Sequence, residues 1–217
     1  MRQFLIAGTD TEVGKTVVTS CLAACSQKFY PQKSLGILKL METGLGDSQV
    51  YQGLFPDLEV VSPLSFATAI APPLAALKEG KTIDLKLVWE TYCRLQQEHD
   101  FLLVEALGGL GSPVSHELTV ADLARDWKLP TILVVPVKLG AIAATVANMA
   151  LVRQNKINLV GIVLNCVNPD SEANLEDLTP IAFLENLAQV RVLGVVPYLV
   201  DTTDLDKLAQ IGSNLDL

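Results

Sequence analysis

Histidine is nearly missing from this chain and cysteine is sparse, with two and four residues respectively among 217. There is no Cys-x-x-Cys pair, and His99 and His116 stand apart, so a structural zinc site is not expected. Cys21, Cys25, Cys93 and Cys166 suit a compartment in which thiols stay reduced. Cys21 and Cys25 fall four apart on one helical face, where core packing is the expected role. Basic residues are outnumbered, 16 against 24 acidic ones, and the formal net charge is −8. Without a Lys/Arg cluster, a nucleic-acid partner is not expected. No apolar run reaches the length of a membrane span, and the N-terminus lacks the charged, apolar and small-residue order of a signal peptide. The expectation is a cytoplasmic protein with no membrane partner.

What the chain does have is apolar content, 50% of its residues, enough for one large core. One domain over residues 1–217 is the simplest organisation. Apolar runs at Phe4 to Ala7, Ser34 to Lys39, Asp100 to Glu105, Thr131 to Val137, Leu159 to Asn165 and Val192 to Val196 read as strands. Helical patterns lie between them: Val17 to Ser26, Ser48 to Gly53, Leu85 to Glu98, Ala143 to Arg153 and Ile181 to Leu187, with a last one from Leu205 to Ile211. In the fourth-spaced helix from Leu85, the side chains Leu85, Val88, Trp89, Tyr92 and Leu95 share one face. Residues 56–83, broken by Pro56, Pro63, Pro72 and Pro73, read as a connection with a helix near Leu74 to Lys78. Strand and helix in alternation predict an α/β fold with a mostly parallel sheet and helices on both faces.

The first strand runs into Gly8-Thr9-Asp10-Thr11-Glu12-Val13-Gly14-Lys15-Thr16. A glycine-bounded turn that opens a helix on Gly-Lys-Thr is the context of a phosphate-binding loop, so the fold is expected to be P-loop NTPase-like. Glycine allows the tight turn, and the backbone N–H groups and helix N-terminus converge on anionic oxygens. Lys15 suits a terminal phosphate, and the Thr16 hydroxyl suits a magnesium ion bridging two phosphates. The first glycine lies one residue earlier than the usual spacing allows.

Other candidates sit at strand ends, the edge where ligands gather in open α/β sheets. Lys39 ends the second strand and Glu105 the third, where a second acidic element near nucleotide-bound magnesium is usually placed. Taken alone, Lys39 reads as an ordinary surface lysine, the usual fate of that residue. Between them, Leu40 to Asp47 forms a glycine-containing loop; Asp47 suits either a helix N-cap or a hard cation. Asn165 ends a later strand, and its amide suits either a turn cap or the recognition of a base edge. Asp122 is expected in the first turn of a helix.

Taken together, these stretches resemble the dethiobiotin synthetase family over almost the whole chain. The family's Lys-Pro-x-x-[Ser/Thr]-Gly stands here as Lys39-Leu-Met-Glu-Thr43-Gly44, and its Val-Glu-Gly-Ala-Gly-Gly as Val104-Glu105-Ala-Leu-Gly108-Gly109. Val137-Lys-Leu-Gly140, Asn165 and Gly194-x-x-Pro197 complete the order. The phosphate loop alone is shared with partition ATPases and cobalamin-type amidotransferases. The resemblance implies an ATP-dependent carboxylation of 7,8-diaminononanoate with CO2 that closes a cyclic urea. It further implies that Lys15 and Lys39 flank the carbamate and γ-phosphate, and that Thr11 and Thr43 contact substrate. Glu12, Val13, Gly14, Lys15, Thr16 and Val17 would bind nucleotide phosphates, with Asn165 and Pro197 bordering adenine. Thr16, Asp47 and Glu105 would hold Mg2+. Gly140, Ala141, Ile142 and Ala143 of a partner subunit would meet the substrate carboxylate across a homodimer interface. This chain departs from the pattern in having Leu40 for a proline and Ala106 and Leu107 for smaller residues. The segment between Thr43-Gly44 and Asp47 is also short. The alternative is a partition-type nucleotide-switch ATPase, whose loop carries an additional lysine where Thr9, Asp10 and Thr11 stand.

Overall fold

A computed structural model describes residues 2–44 and 46–217. Leu45, part of the loop before Asp47, lies outside the described residues. In chain order the elements begin with β1 (Arg2–Gly8), α1 (Lys15–Phe29), β2 (Leu35–Lys39), β3 (Glu42–Thr43) and α2 (Asp47–Leu54). Then come β4 (Glu59–Val61), β5 (Ser65–Phe66), α3 (Pro72–Glu79), α4 (Leu85–Glu98) and β6 (Phe101–Gly109). The second half holds α5 (Val120–Asp126), β7 (Thr131–Pro136), α6 (Ala141–Asn155) and β8 (Leu159–Asn165). It closes with α7 (Pro169–Ala173), α8 (Leu175–Leu178), α9 (Ile181–Ala188), β9 (Val192–Val196) and α10 (Leu205–Ser213).

Seven strands form one sheet in the order β4-β2-β6-β1-β7-β8-β9, and every pairing is parallel. A strand buried on both faces sends alternate side chains to opposite layers. In β1, Leu5 and Ala7 join one apolar cluster with α4, α5, α6 and α9, while Ile6 joins the other with α1, α2 and α10. Leu133 and Val135 against Ile132 and Val134 repeat that alternation in β7. Two helical layers therefore cover the sheet, as the alternating pattern predicts. On α4, Val88, Tyr92 and Leu95 are buried, but Trp89 stays at the rim, 5.0 Å from the Trp127 ring.

The structure departs from the sequence expectations in two stretches. Residues 56–83 contain edge strand β4, α3, and β5, which pairs with β3 from before α2. Pro72 and Pro73 do not interrupt that helix; they open it, where a missing N–H costs nothing. Strand β6 also continues past Glu105 to Gly109, so the acidic residue sits within the strand. Asp122 does fall in the first turn of α5, in a capping box with Thr119.

β1 lies between β6 and β7, with the chain passing to β2 on one side and β7 on the other. Such a reversal of winding leaves a crevice beyond the carboxyl ends of the strands. Residues 9–14, Lys39 and Asn165 all emerge there.

Candidate nucleotide and carboxylation site

The loop after β1 is held open by unusual backbone. Glu12 and Gly14 both take positive φ, 55° and 89°. Such a turn points successive N–H groups inward, and only glycine fits the second position. A Cβ on Gly14 would lie 2.0 Å from Asn165 Nδ2. The reason is a brace across the sheet: Asn165 Nδ2 donates to the Val13 carbonyl at 3.0 Å. Asn165 thus buttresses the loop from the end of β8, a role outside both sequence readings. Asn148 on α6 donates to the Thr9 carbonyl at 3.2 Å and steadies the start of the loop.

Lys15 opens α1 and folds back over the loop, its Nζ 3.3 Å from the Asp10 carbonyl. Burial pulls its pKa below the ordinary lysine value, against the opposing pull of Glu105. Lys39, at the end of β2, is only 3% exposed. Burial draws its pKa down, but the Glu105 and Asp47 carboxylates outweigh this and leave it raised. Its Nζ lies 2.5 Å from Glu105 Oε1 and also donates to Asp47. The surface-lysine reading is therefore wrong for this residue. Leu40, where the resemblance implies proline, donates its N–H to the Glu105 carbonyl at 3.1 Å. A proline could not make that bond, and it fixes the backbone after Lys39 in another way.

Asp47 begins α2, but the cap position falls to Gly46. Its carboxylate turns into the site, where Thr16 Oγ1 donates to Oδ1 at 3.0 Å. Burial raises the Asp47 pKa, and the Lys39 ammonium overcomes this to hold it below the usual carboxylate range. Glu105 is fully buried and also lies 3.4 Å from Thr16 Oγ1. Thr16, Asp47 and Glu105 are thus brought together. Two carboxylates and a hydroxyl are the hard oxygen donors that magnesium takes alongside phosphate and water. Lys15 and Lys39 balance the two acids in charge, which is what a buried ionic cluster needs to be tolerated.

A cavity of about 420 Å³ joins these groups, with Thr11, Glu12 and Gly14 on one wall and Lys39, Thr43 and Asp47 on the other. Leu107 lines it too. A second groove of about 250 Å³ begins at Glu12 and Gly14 and runs past Val17, Asn165 and Pro197. Tyr198, Leu199 and Thr202 complete its wall. Val13 itself points into the core and offers the site only its backbone. Gly140, Ala141, Ile142 and Ala143 start α6 and line neither space.

Sequence reasoning missed Glu42, Thr19 and Tyr51. The Glu42 carboxylate accepts from Ser48 N at 2.6 Å and Ser48 Oγ at 2.8 Å, and so secures the first turn of α2. Thr19 Oγ1 donates to Glu105 Oε2 at 3.1 Å, and the Tyr51 hydroxyl donates to the same oxygen. Burial foremost, then Glu105, keeps the Tyr51 phenol protonated by raising its pKa well above the usual value.

A parallel sheet with this loop at its switch point defines a P-loop nucleotide-binding α/β protein. Consistent with that class, the fold is similar to the MinC:MinD cell division protein complex of Aquifex aeolicus, with TM-score 0.61 and 14% identity. That likeness covers 99% of this chain and 93% of the other and shows the fold alone. The family model AAA_26, described as "AAA domain", matches residues 2–205. Proteins named "ATP-dependent dethiobiotin synthetase BioD" are far more similar. The one from Gloeothece citriformis (strain PCC 7424) is 56% identical over 220 residues, covering 100% of this chain and 97% of the relative. The one from Crocosphaera subtropica (strain ATCC 51142 / BH68) is 55% identical, covering 100% and 98%. The chain belongs to the ATP-dependent dethiobiotin synthetase family.

Proposed function

We infer that this chain is an ATP-dependent carbon-nitrogen ligase of biotin biosynthesis, which carboxylates 7,8-diaminononanoate with CO2 and closes the ring of dethiobiotin. The observation that carries this reading is the meeting of two lysines from different elements, Lys15 and Lys39, in one cavity with the phosphate loop. A nucleotide switch needs a phosphate loop; a second wall suited to an anionic acceptor belongs to group transfer.

The chemistry balances as follows. One substrate amine adds to CO2 and loses a proton, giving a carbamate. A carbamate oxygen attacks the γ-phosphorus of ATP, and the bond to ADP breaks. The second amine then attacks the carbonyl of this mixed anhydride; phosphate leaves, and the amine proton passes to solvent. Negative charge is created or moved at each stage, so buried ammonium groups and loop N–H donors lower the barriers by orientation and electrostatics. In this reading Lys39 holds the carbamate, Lys15 the γ-phosphate, and the hydroxyls of Thr11 and Thr43 the substrate. Backbone N–H groups of Glu12 to Thr16, with Val17 alongside, hold the phosphates, while Asn165 and Pro197 border the base.

Mg2+ fits the oxygen set of Thr16, Asp47 and Glu105, and when bound it would neutralise phosphate charge. Lys39 bridges the same two carboxylates in this structure, so a bound metal would share them with its ammonium. Gly140 to Ala143 lie outside this chain's cavity at a helix N-terminus suited to a carboxylate. That arrangement supports a homodimer in which a second copy supplies them, with Leu139, 89% exposed, at the contact. A continuous sheet with one core on each face supports a single domain. No helix among the described residues is long and apolar enough to cross a membrane, and the net charge of −8 disfavours nucleic acid. Cytoplasmic location fits the free cysteines.

The test is the dependence of ADP release on the other substrates. Release should require both the diamine and bicarbonate; release indifferent to the diamine would favour the partition-type reading.

A further inference from the structure

The two oxygens of Glu105 meet different surroundings. Oε1 faces the cavity, with Lys39 Nζ at 2.5 Å and Thr16 Oγ1 at 3.4 Å. Oε2 faces the interior and accepts from two hydroxyls, Thr19 at 3.1 Å and Tyr51. Thr19 and Tyr51 are both fully buried, 0% exposed, so neither hydroxyl has water as an alternative partner.

Tyr51 reaches this oxygen because of α2. Asp47 and Tyr51 stand four residues apart on that helix, and i,i+4 side chains share a face. One short helix thus presents a carboxylate to Lys39 and Thr16, and a phenol to the back of Glu105. Glu42 secures its first turn through Ser48, which sets the helix against the site. The Tyr51 ring packs in the apolar layer with α1, a place that phenylalanine would fill as well. Packing accounts for the ring and leaves the hydroxyl to be explained.

We propose that Tyr51, assisted by Thr19, is a positioning residue for Glu105: the two hydroxyls pin Oε2 and reserve Oε1 for the metal and the phosphate side of the site. This rests on the reading of Glu105 as a metal ligand. A carboxylate with one oxygen held by two donors must break both bonds before it can exchange its oxygens. Groups one layer behind a ligand commonly change metal affinity about 10–100-fold when removed.

The test is Mn2+ binding to the purified enzyme with a non-hydrolysable ATP analogue, read by electron paramagnetic resonance of the free ion. Tyr51→Phe should weaken Mn2+ binding about tenfold or more and raise the Mg2+ concentration for half-maximal activity by a similar factor. The KM for diamine should hold. Thr19→Val should act in the same direction and Thr19→Ser, which keeps the hydroxyl, should restore wild-type binding. That pair carries the test if Tyr51→Phe does not fold. Glu105→Gln is the reference. If it weakens Mn2+ binding while Tyr51→Phe and Thr19→Val bind as wild type, the positioning proposal is overturned and the metal reading survives. If Glu105→Gln itself binds Mn2+ as wild type, the metal reading falls and this proposal with it.

Discussion

Lys39 and Glu105 are direct cross-strand partners on the last rung between β2 and β6, and their side chains form a nearly water-free ion pair. Sheet register therefore sets the distance between the candidate carbamate lysine and the candidate metal carboxylate. The N–H of Leu40 to the Glu105 carbonyl adds one more bond beyond that rung. A slip of one residue would turn every side chain of β2 to the other face, so fold stability and site geometry are specified by the same contacts.

Lys39→Ala should lower product formation by roughly 10²–10³-fold while affinity for an ATP analogue changes little. It should also destabilise the fold by about 3 kcal/mol, because Glu105 is left as a buried charge without its partner. Lys39→Met combined with Glu105→Gln should recover most of that stability and none of the activity. Urea unfolding and a product assay on the same preparations separate the two effects. An unchanged rate in Lys39→Ala would refute the role given to this lysine.

The ionic cluster predicts a definite pH window. Asp47 is held below its ordinary value of 3.8, so its contribution is complete above that pH and fades as pH falls below it. Lys39 is raised above its ordinary 10.5, so its contribution is complete below that pH and is lost as pH climbs past it. Unfolding free energy followed across pH should be less steep on the acid side in Asp47→Asn than in the wild type. Parallel acid limbs in the two proteins would contradict the assignment.

Asn165 links the groove past Val17 and Pro197 to the phosphate loop. Removing its amide leaves the Val13 carbonyl without its partner, at a cost of about 1–3 kcal/mol. Asn165→Ala and Asn165→Asp should both show that loss, since an ionised carboxylate cannot donate to a carbonyl. Both should also weaken ATP binding, measured by calorimetry, because the Gly14 turn packs on this side chain. Loss of ATP affinity with unaltered stability would point to a contact with the base instead of a brace.

Much of this was legible in the sequence where a strong local pattern existed. The apolar runs announced β1, β2, β6, β7, β8 and β9, with Lys39 and Glu105 placed at the ends of two of them and Lys15 in the loop that opens the first helix. Short edge strands β3, β4 and β5 carry too few residues to show a period, and Pro72-Pro73 reads as a break until its place in the first turn of α3 is known. Helices α7 and α8 lie in a stretch legible only as polar. Tyr51 and Thr19 were hidden for another reason. Each sits in a helix as a buried side chain, and its hydroxyl gains meaning only when Glu105, distant in sequence, arrives beside it. Asn165 was visible as a strand-end amide, but its partner Val13 depends on the sheet order.

The most direct measurement supplies the purified protein with 7,8-diaminononanoate, Mg-ATP and isotopically labelled CO2. The account predicts label in a cyclic urea, formed one-for-one with ADP. ADP formed without label in the urea, or at a rate that ignores the diamine, would contradict it.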